Sequence, residues 1–167
     1  SMSMIDIQRH PIDIVHSWYV RGWGQRTQNR DPLSFSLLIK GTSTGVPAYA
    51  KGWEREYEKM CPIDRVIRSV LTLMKSSLNA YNKLGIKQNQ ILVVSYEHIF
   101  ANPDSVIEKM SSFLDSEPFP NMRDLLRREG VPKELALKIR QDKFEELKLL
   151  CEKKDLIDEL VKMSDDY

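Results

Sequence analysis

The chain has 167 residues, 41% of them hydrophobic, and its 25 Lys and Arg residues against 24 Asp and Glu leave a formal charge of +1. That length suffices for one compact domain over residues 1–167, and the charge balance lacks the basic excess of a general nucleic-acid binder. No apolar run reaches the length of a membrane span and no charged-then-apolar leader precedes the first strand, so the sequence predicts a soluble chain, with residues 1–3 as a cloning remnant.

Met4-Ile5-Asp6-Ile7 alternates apolar and polar residues, the pattern of a short half-buried strand, and Arg9 stands at its end. Pro11 suits the first turn of a helix because its missing N–H is not needed there and its φ is already set. Ile14, Val15 and Trp18 then give that helix an apolar stripe. A strand feeding directly into a helix presents unpaired N–H groups and the positive end of the helix dipole, which together favour an anion. Arg9 adds a planar, permanently charged fork that matches phosphate oxygens. Ser17, four residues after Asp13 on the same helix face, adds a neutral donor. Each residue also has a structural reading: Arg9 as a solvated charge, Ser17 as a helix-surface hydroxyl, Asp13 as a first-turn acid. His10 and His16 read as surface or packing residues rather than as a catalytic base.

Residues 18–53 read as a long loop region on the substrate side. Trp18, Tyr19, Trp23, Tyr49 and Trp53 are interleaved with Arg21, Arg26, Arg30, Lys40 and Lys51, and Gly22, Gly24, Gly41 and Gly45 break up the stretch. Long loops in compact domains tend to bind something. Aromatic faces and arginine forks suit a sugar or an anionic glycan, and they equally suit packing. Trp18 continues the first helical stripe and reads as core, whereas Trp23, between two glycines, is the substrate-contact candidate.

Ile63, Val66, Ile67, Val70, Leu71, Met74, Leu78, Tyr81 and Leu84 recur at three- and four-residue steps, and Gly85 follows as a stop. This predicts a long helix with its apolar face in the core, forming a right-handed crossover between parallel strands. Ile91-Leu92-Val93-Val94-Ser95-Tyr96 is a continuous run of the kind expected in a strand buried on both faces. Asn102-Pro103 opens a helix whose stripe is Val106, Ile107, Met110, Phe113 and Leu114. Another runs from Pro120 to Glu129, and Pro132 starts a further helix with Leu135, Ile139, Phe144, Leu147 and Leu150. Lys153 through Asp166 reads as a solvated helix and a frayed end. Cys61 and Cys151 are isolated thiols, in keeping with a reducing, cytoplasmic compartment. Neither they nor His10, His16 and His98 show ligand spacing, so no metal is expected.

The segment Arg9-His10-Pro11-Ile12-Asp13-Ile14-Val15-His16-Ser17 resembles the 3′-phosphate-binding stretch, Arg-x-Pro-x-Asp-x-x-x-Ser, of sulfotransferases that use 3′-phosphoadenosine 5′-phosphosulfate (PAPS). Tyr96-Glu97-His98-Ile99, the following Pro103 and Phe113-Leu114-Asp115 resemble the same family's Tyr-Glu-Asp-Leu, Pro and Phe-Leu-Gly, with His98 in place of the Asp and Asp115 in place of the Gly. The resemblance implies an α/β fold, a small parallel sheet surrounded by helices of the P-loop-type sulfotransferase kind, N-terminally incomplete. It implies transfer of a sulfuryl group from PAPS to a hydroxyl or amine of a small-molecule or glycan acceptor, without a metal. Arg9 and Ser17 would touch the 3′-phosphate and Tyr96 would border the adenine; for Tyr96 a core aromatic with a satisfied hydroxyl is the structural alternative. Arg127-Arg128-Glu129-Gly130 invites comparison with the family's Arg-Lys-Gly segment, although the Gly-x-Trp-Lys continuation is missing and cations before a glycine suit any helix C-terminus.

In the family the 5′-phosphosulfate loop and the histidine base lie N-terminal to the Arg-x-Pro segment. The isolated chain is therefore expected to be inactive, its catalytic residue unassigned. Losing the strand that should lie beside Met4-Ile5-Asp6-Ile7 would leave an unpaired edge, which favours a homodimer or a swapped assembly. Two readings from other classes stay open: a nucleotide-kinase-like phosphate binder and a non-catalytic helical interaction module.

Overall fold

The structure, a computed structural model, describes residues 3–25, 39, 45–85, 87–131 and 137–167. Arg26, Arg30, Lys40, Gly41 and Leu135, and with them half of the loop expected over 18–53, lie outside the described residues. In chain order the elements are β1 (Met4–Gln8), α1 (Pro11–Val20), α2 (Glu54–Lys59), α3 (Pro62–Lys83), β2 (Ile91–Ser95), α4 (Tyr96–Ala101), α5 (Pro103–Leu114), α6 (Met122–Arg128), α7 (Leu137–Leu150) and α8 (Lys154–Asp165). The fold is α/β, with a small parallel sheet and many helices. Two compact units are present, Ser1–His10 with Tyr81–Leu137, and Pro11–Ala80 with Lys138–Tyr167.

In the first unit β1 and β2 pair in parallel, with register running from Met4 opposite Ile91 to Gln8 opposite Ser95. The polar residue inside β1 is satisfied locally: the Tyr81 hydroxyl donates to Asp6 Oδ2 at 2.6 Å and Gln8 Nε2 donates to the same oxygen at 2.8 Å. Only Val94 of β2 is buried, and Val93 is 54% exposed, so the strand is not covered on both faces as its apolar run suggested. A ladder of two strands is too narrow to need a full layer on each face. Among the described residues each strand has a partner on one side only.

Helix limits in this unit follow local chemistry. Ser95 caps α4, its Oγ accepting from the His98 N–H at 3.4 Å. Pro103 opens α5, where its lack of an N–H is harmless. The end of α5 turns through Asp115 at φ 48° and ψ 50°, with the Ser116 N–H reaching back to Ser111 O at 3.1 Å. That left-handed position is one that glycine fills without strain. Gly130 performs the same turn after α6 at φ 71°, with Val131 N–H bonded to Leu126 O at 2.9 Å.

The second unit holds the larger core. Ile12 and Val15 of α1, Tyr57 of α2, Ile63, Val66, Ile67, Val70 and Leu71 of α3, Leu147 of α7, and Leu156, Ile157 and Leu160 of α8 form one buried cluster with Val46, Trp53 and Met60. The C-terminal helix is thus not the solvated helix its charges suggested. Its apolar residues recur at helical spacing and α8 packs on α1, with Leu160 fully buried. Several expected stripe residues are exposed: Leu78 of α3, Leu84 just past its end, Leu114 of α5, and Ile139 and Leu150 of α7. The buried stretch of α3 ends near Met74, and amphipathic pattern alone does not say how far a neighbour extends.

Two charged residues at the start of α3, Asp64 and Arg65, are also buried. Arg65 donates from Nε to Tyr57 O at 2.7 Å, from Nη2 to Glu58 O at 3.0 Å and from Nη1 to Gly24 O at 3.2 Å. It satisfies carbonyls that the end of α2 leaves open. Gly24 owes its identity to this packing, since a Cβ there would lie 2.2 Å from Pro62 O.

Replacing Asp115 with glycine should relieve the left-handed turn and raise stability by about 0.5–1 kcal/mol. Urea unfolding of Asp115→Gly would read this as a higher midpoint; an equal or lower midpoint would mean the aspartate already offsets its strain.

Candidate functional site

Parallel pairing sends β1 and β2 out of the sheet at the same end, so residues following Gln8 and Ser95 leave side by side. In open α/β sheets that carboxyl end is where ligands bind. Arg9 follows β1 there and Tyr96 begins α4. The Arg9 guanidinium lies over the Tyr96 ring, 5.0 Å from its centroid, and the ring also meets Phe100, with centroids 4.7 Å apart. A cation held over an aromatic face is oriented without being neutralised. Among the described residues no carboxylate forms an ion pair with Arg9.

Glu97, one residue beyond Tyr96, ties the two strand ends together. Its Oε1 accepts the His10 backbone N–H at 3.1 Å and its Oε2 accepts the Ser95 hydroxyl at 2.9 Å. The carboxylate therefore fixes the backbone next to Arg9 without reaching the guanidinium in an ion pair. Sequence reasoning passed over Glu97, and only its place beside Tyr96 in the quoted motif could have drawn notice. His10 is buried and His98 exposed.

The remaining expected site residues belong to the second unit. Ser17 lies on α1, half-buried, and its hydroxyl has no hydrogen-bond partner among the described residues. Arg9 and Tyr96 are brought together within the first unit, and Ser17 belongs to the other compact unit. Trp23 is stacked on Trp18 with ring centroids 4.6 Å apart and planes at 29°, and Trp18 in turn meets Tyr49 at 6.1 Å. Trp23 is therefore part of an aromatic cluster and not an isolated ring between glycines.

Asp13, in the first turn of α1, has a larger part than a dipole-favoured acid. It is buried, and α7 delivers two cations to it: Arg140 Nε at 3.0 Å and Lys143 Nζ at 2.6 Å. Burial acts to raise the Asp13 pKa, but the hydrogen bonds and charges of Lys143 and Arg140 outweigh it, leaving the carboxyl below its ordinary value of 3.8. One turn further along, His16 Nε2 meets Glu146 Oε2 at 3.2 Å. Residues 140, 143 and 146 share one face of α7, so α1 and α7 are joined by a polar row.

The two cysteines are free thiols that meet a shared carboxylate. Cys151 Sγ donates to Asp64 Oδ1 at 3.0 Å. Burial, then the hydrogen bond and charge of Asp64, push the Cys151 pKa up to about 12. Cys61 is also raised, by burial first, with the N–H of Asp64 acting against the shift and its carboxylate adding to it. Thiols held protonated in this way are poor nucleophiles, which removes them from the chemistry of the site.

The model of the sulfotransferase domain family matches residues 1–149, and the chain belongs to that family. No curated protein and no solved structure matches the chain. The family carries out sulfuryl transfer, generally with PAPS as co-substrate and small-molecule acceptors. Among the described residues no helix is long and apolar enough to cross a membrane.

Removing the Asp13 carboxylate would leave Arg140 and Lys143 facing each other across a partly buried space. Asp13→Asn is expected to lower stability at pH 7 by about 3 kcal/mol. Because the folded-state pKa is depressed, this stabilisation is complete above the unfolded value of 3.8 and is lost as pH falls through the lower folded value. Urea titrations from pH 7 down to pH 3 should show the parent and variant converging below about pH 4; a gap that stays constant would contradict the ion-pair account.

Proposed function

We propose that this chain binds the nucleotide of PAPS at the carboxyl end of β1 and β2 and serves transfer of its sulfuryl group to a hydroxyl or amine acceptor, a glycan among the candidates. The observation that carries the reading is Arg9: a guanidinium at the shared strand end, oriented by the Tyr96 ring at 5.0 Å and by no carboxylate among the described residues. A planar fork in that state suits phosphate oxygens, and the ring beside it suits an adenine face. The residues therefore fit a 3′-phosphoadenosine group. Arg9 is assigned to the 3′-phosphate, Tyr96 to the adenine border, and Glu97 to holding the loop that carries Arg9.

These residues bind and orient; they do not break bonds. In sulfuryl transfer the acceptor oxygen or nitrogen attacks sulfur, the bridging sulfur–oxygen bond to the 5′-phosphate breaks, and the acceptor's proton passes to a base. Holding the far end of the donor limits its freedom and presents sulfur in a fixed direction. No residue named here is assigned to the 5′-phosphosulfate or to the acceptor proton, so the 167-residue chain alone is expected to bind without turnover. Trp23 is assigned to the acceptor side; an unchanged acceptor KM and rate in a Trp23→Ala variant of an active form would remove that assignment.

Calorimetric titration with 3′-phosphoadenosine 5′-phosphate and with ADP tests the nucleotide reading directly. The 3′-phosphate compound should bind at least about tenfold more tightly, and Arg9→Ala should abolish that preference, since a charge-assisted phosphate contact contributes about 1.5–3 kcal/mol. A preference for ADP would favour the kinase-like reading. Binding of neither would favour an interaction module, and measurable sulfuryl transfer by this chain would contradict the expected lack of turnover.

A further inference from the structure

Where α3 begins and α7 gives way to α8, the second unit gathers two thiols and two carboxylates that the nucleotide reading does not use. Cys61 immediately precedes α3, Asp64 lies in its first turn, and Cys151 and Glu152 form the turn between α7 and α8. The Cys61 sulfur and one oxygen each of Asp64 and Glu152 lie within 4.8 Å of one another. Cys151 Sγ is 3.0 Å from Asp64 Oδ1, so the fourth donor faces the same group. Ninety residues separate the two cysteines in sequence, and spacing alone gave no hint that they meet.

The charge of this cluster is its unusual property. Asp64 is 1% exposed, and among the described residues no Lys or Arg pairs with it. Its partners are the thiols of Cys61 and Cys151 and the Glu152 N–H at 3.1 Å. Buried carboxylates are normally matched by a cationic side chain or by a metal ion. Here a second carboxylate stands beside the first, and the nearby groups are metal ligands.

We infer that Cys61, Asp64, Cys151 and Glu152 form a binding site for a zinc-class divalent cation. Donor chemistry selects the class. Calcium takes six to eight oxygens and magnesium a near-ideal octahedron with several waters, whereas this cluster supplies two sulfurs and two carboxylates. Thiolate sulfur selects zinc and its relatives. A tetrahedral site with Zn–S bonds of about 2.3 Å and Zn–O bonds of about 2.0 Å has sulfur–oxygen edges of about 3.5 Å. The Cys61 sulfur and the Asp64 and Glu152 oxygens stand within 4.8 Å of one another and Cys151 Sγ lies 3.0 Å from Asp64 Oδ1, so side-chain adjustment around the buried Asp64 carboxylate would bring the four donors into one shell. The half-buried thiols and exposed Glu152 give the ion a path from solvent. Each thiol that ligates the metal exchanges its proton for a metal–sulfur bond and releases that proton to water. The ion would join the start of α3 to the α7–α8 turn, so its effect falls on the stability of this unit and not on sulfuryl transfer.

The test uses the reduced, chelator-stripped chain, titrated with Zn2+ in competition with a chromogenic chelator and separately with Co2+. One equivalent of zinc should bind and raise Tm by about 5 °C at a hundredfold excess over Kd, and the Co2+ form should show thiolate-to-metal charge-transfer absorption. Glu152→Gln, at an exposed position, should weaken zinc binding at least about tenfold. A Cys61→Ser/Cys151→Ser double variant, with folding checked by circular dichroism, should lose the charge-transfer band. No stoichiometric uptake by the parent chain, Co2+ binding without thiolate absorption, or parent-like affinity in Glu152→Gln would each overturn the assignment, the last two independently of whether the double variant folds.

Discussion

The parallel ladder between β1 and β2 is the constraint on which the candidate site depends. It joins residues 87 positions apart, and its register, Gln8 opposite Ser95, decides that Arg9 leaves the sheet beside Tyr96 and that His10 comes within reach of Glu97. An antiparallel pairing would send the two chain ends in opposite directions. A one-residue slip of β1 would turn Asp6 away from Tyr81 and exchange the faces of that strand. Asp6 contributes to that register because its carboxylate is already engaged by Tyr81 and Gln8. A short sheet with little burial thus gains specificity from polar contacts at defined positions.

The second unit follows a different principle. Its apolar cluster supplies the burial, and three charged groups sunk beside or within it set how its helices meet. Asp13 brings Arg140 and Lys143 of α7 to α1. Arg65 closes the end of α2 and accepts the close approach of Gly24 to Pro62. Asp64 draws together the start of α3 and the turn that leads into α8. A buried charge is costly unless its partners are in place, so each of these groups penalises alternative packings of helices whose apolar stripes would tolerate several.

Membership in the sulfotransferase domain family gives these features a chemical setting. Transfer of a sulfuryl group needs the donor nucleotide to be held at a distance from the reacting sulfur, by groups that keep their charge and geometry throughout. In the proposed reading, the Arg9 guanidinium placed over the Tyr96 ring would meet that requirement. The protonated thiols of Cys61 and Cys151 stand outside that chemistry.

Local physics was readable from the residues alone. Alternation in Met4-Ile5-Asp6-Ile7, proline at positions 11 and 103, and glycine at 85 and 130 mark strand and helix limits, because each acts through its own backbone or its nearest turn. The Arg9-to-Ser17 segment and the Tyr96 motif could be named for the same reason: they are contiguous. What lay outside the sequence was which faces would be covered and which distant side chains would meet. The α8 residues Leu156, Ile157 and Leu160 carried an ordinary amphipathic pattern amid charges, and only packing made them core. Val93 and Ile139 carried equally apolar identities, and packing left them exposed. Asp13 with Lys143, Glu97 with His10 and Cys151 with Asp64 are pairs separated by 87 to 130 positions. Backbone preference is a property of a few neighbouring residues and can be written in sequence order; coverage and long-range pairing are properties of the assembled chain, settled by which surfaces exclude water together.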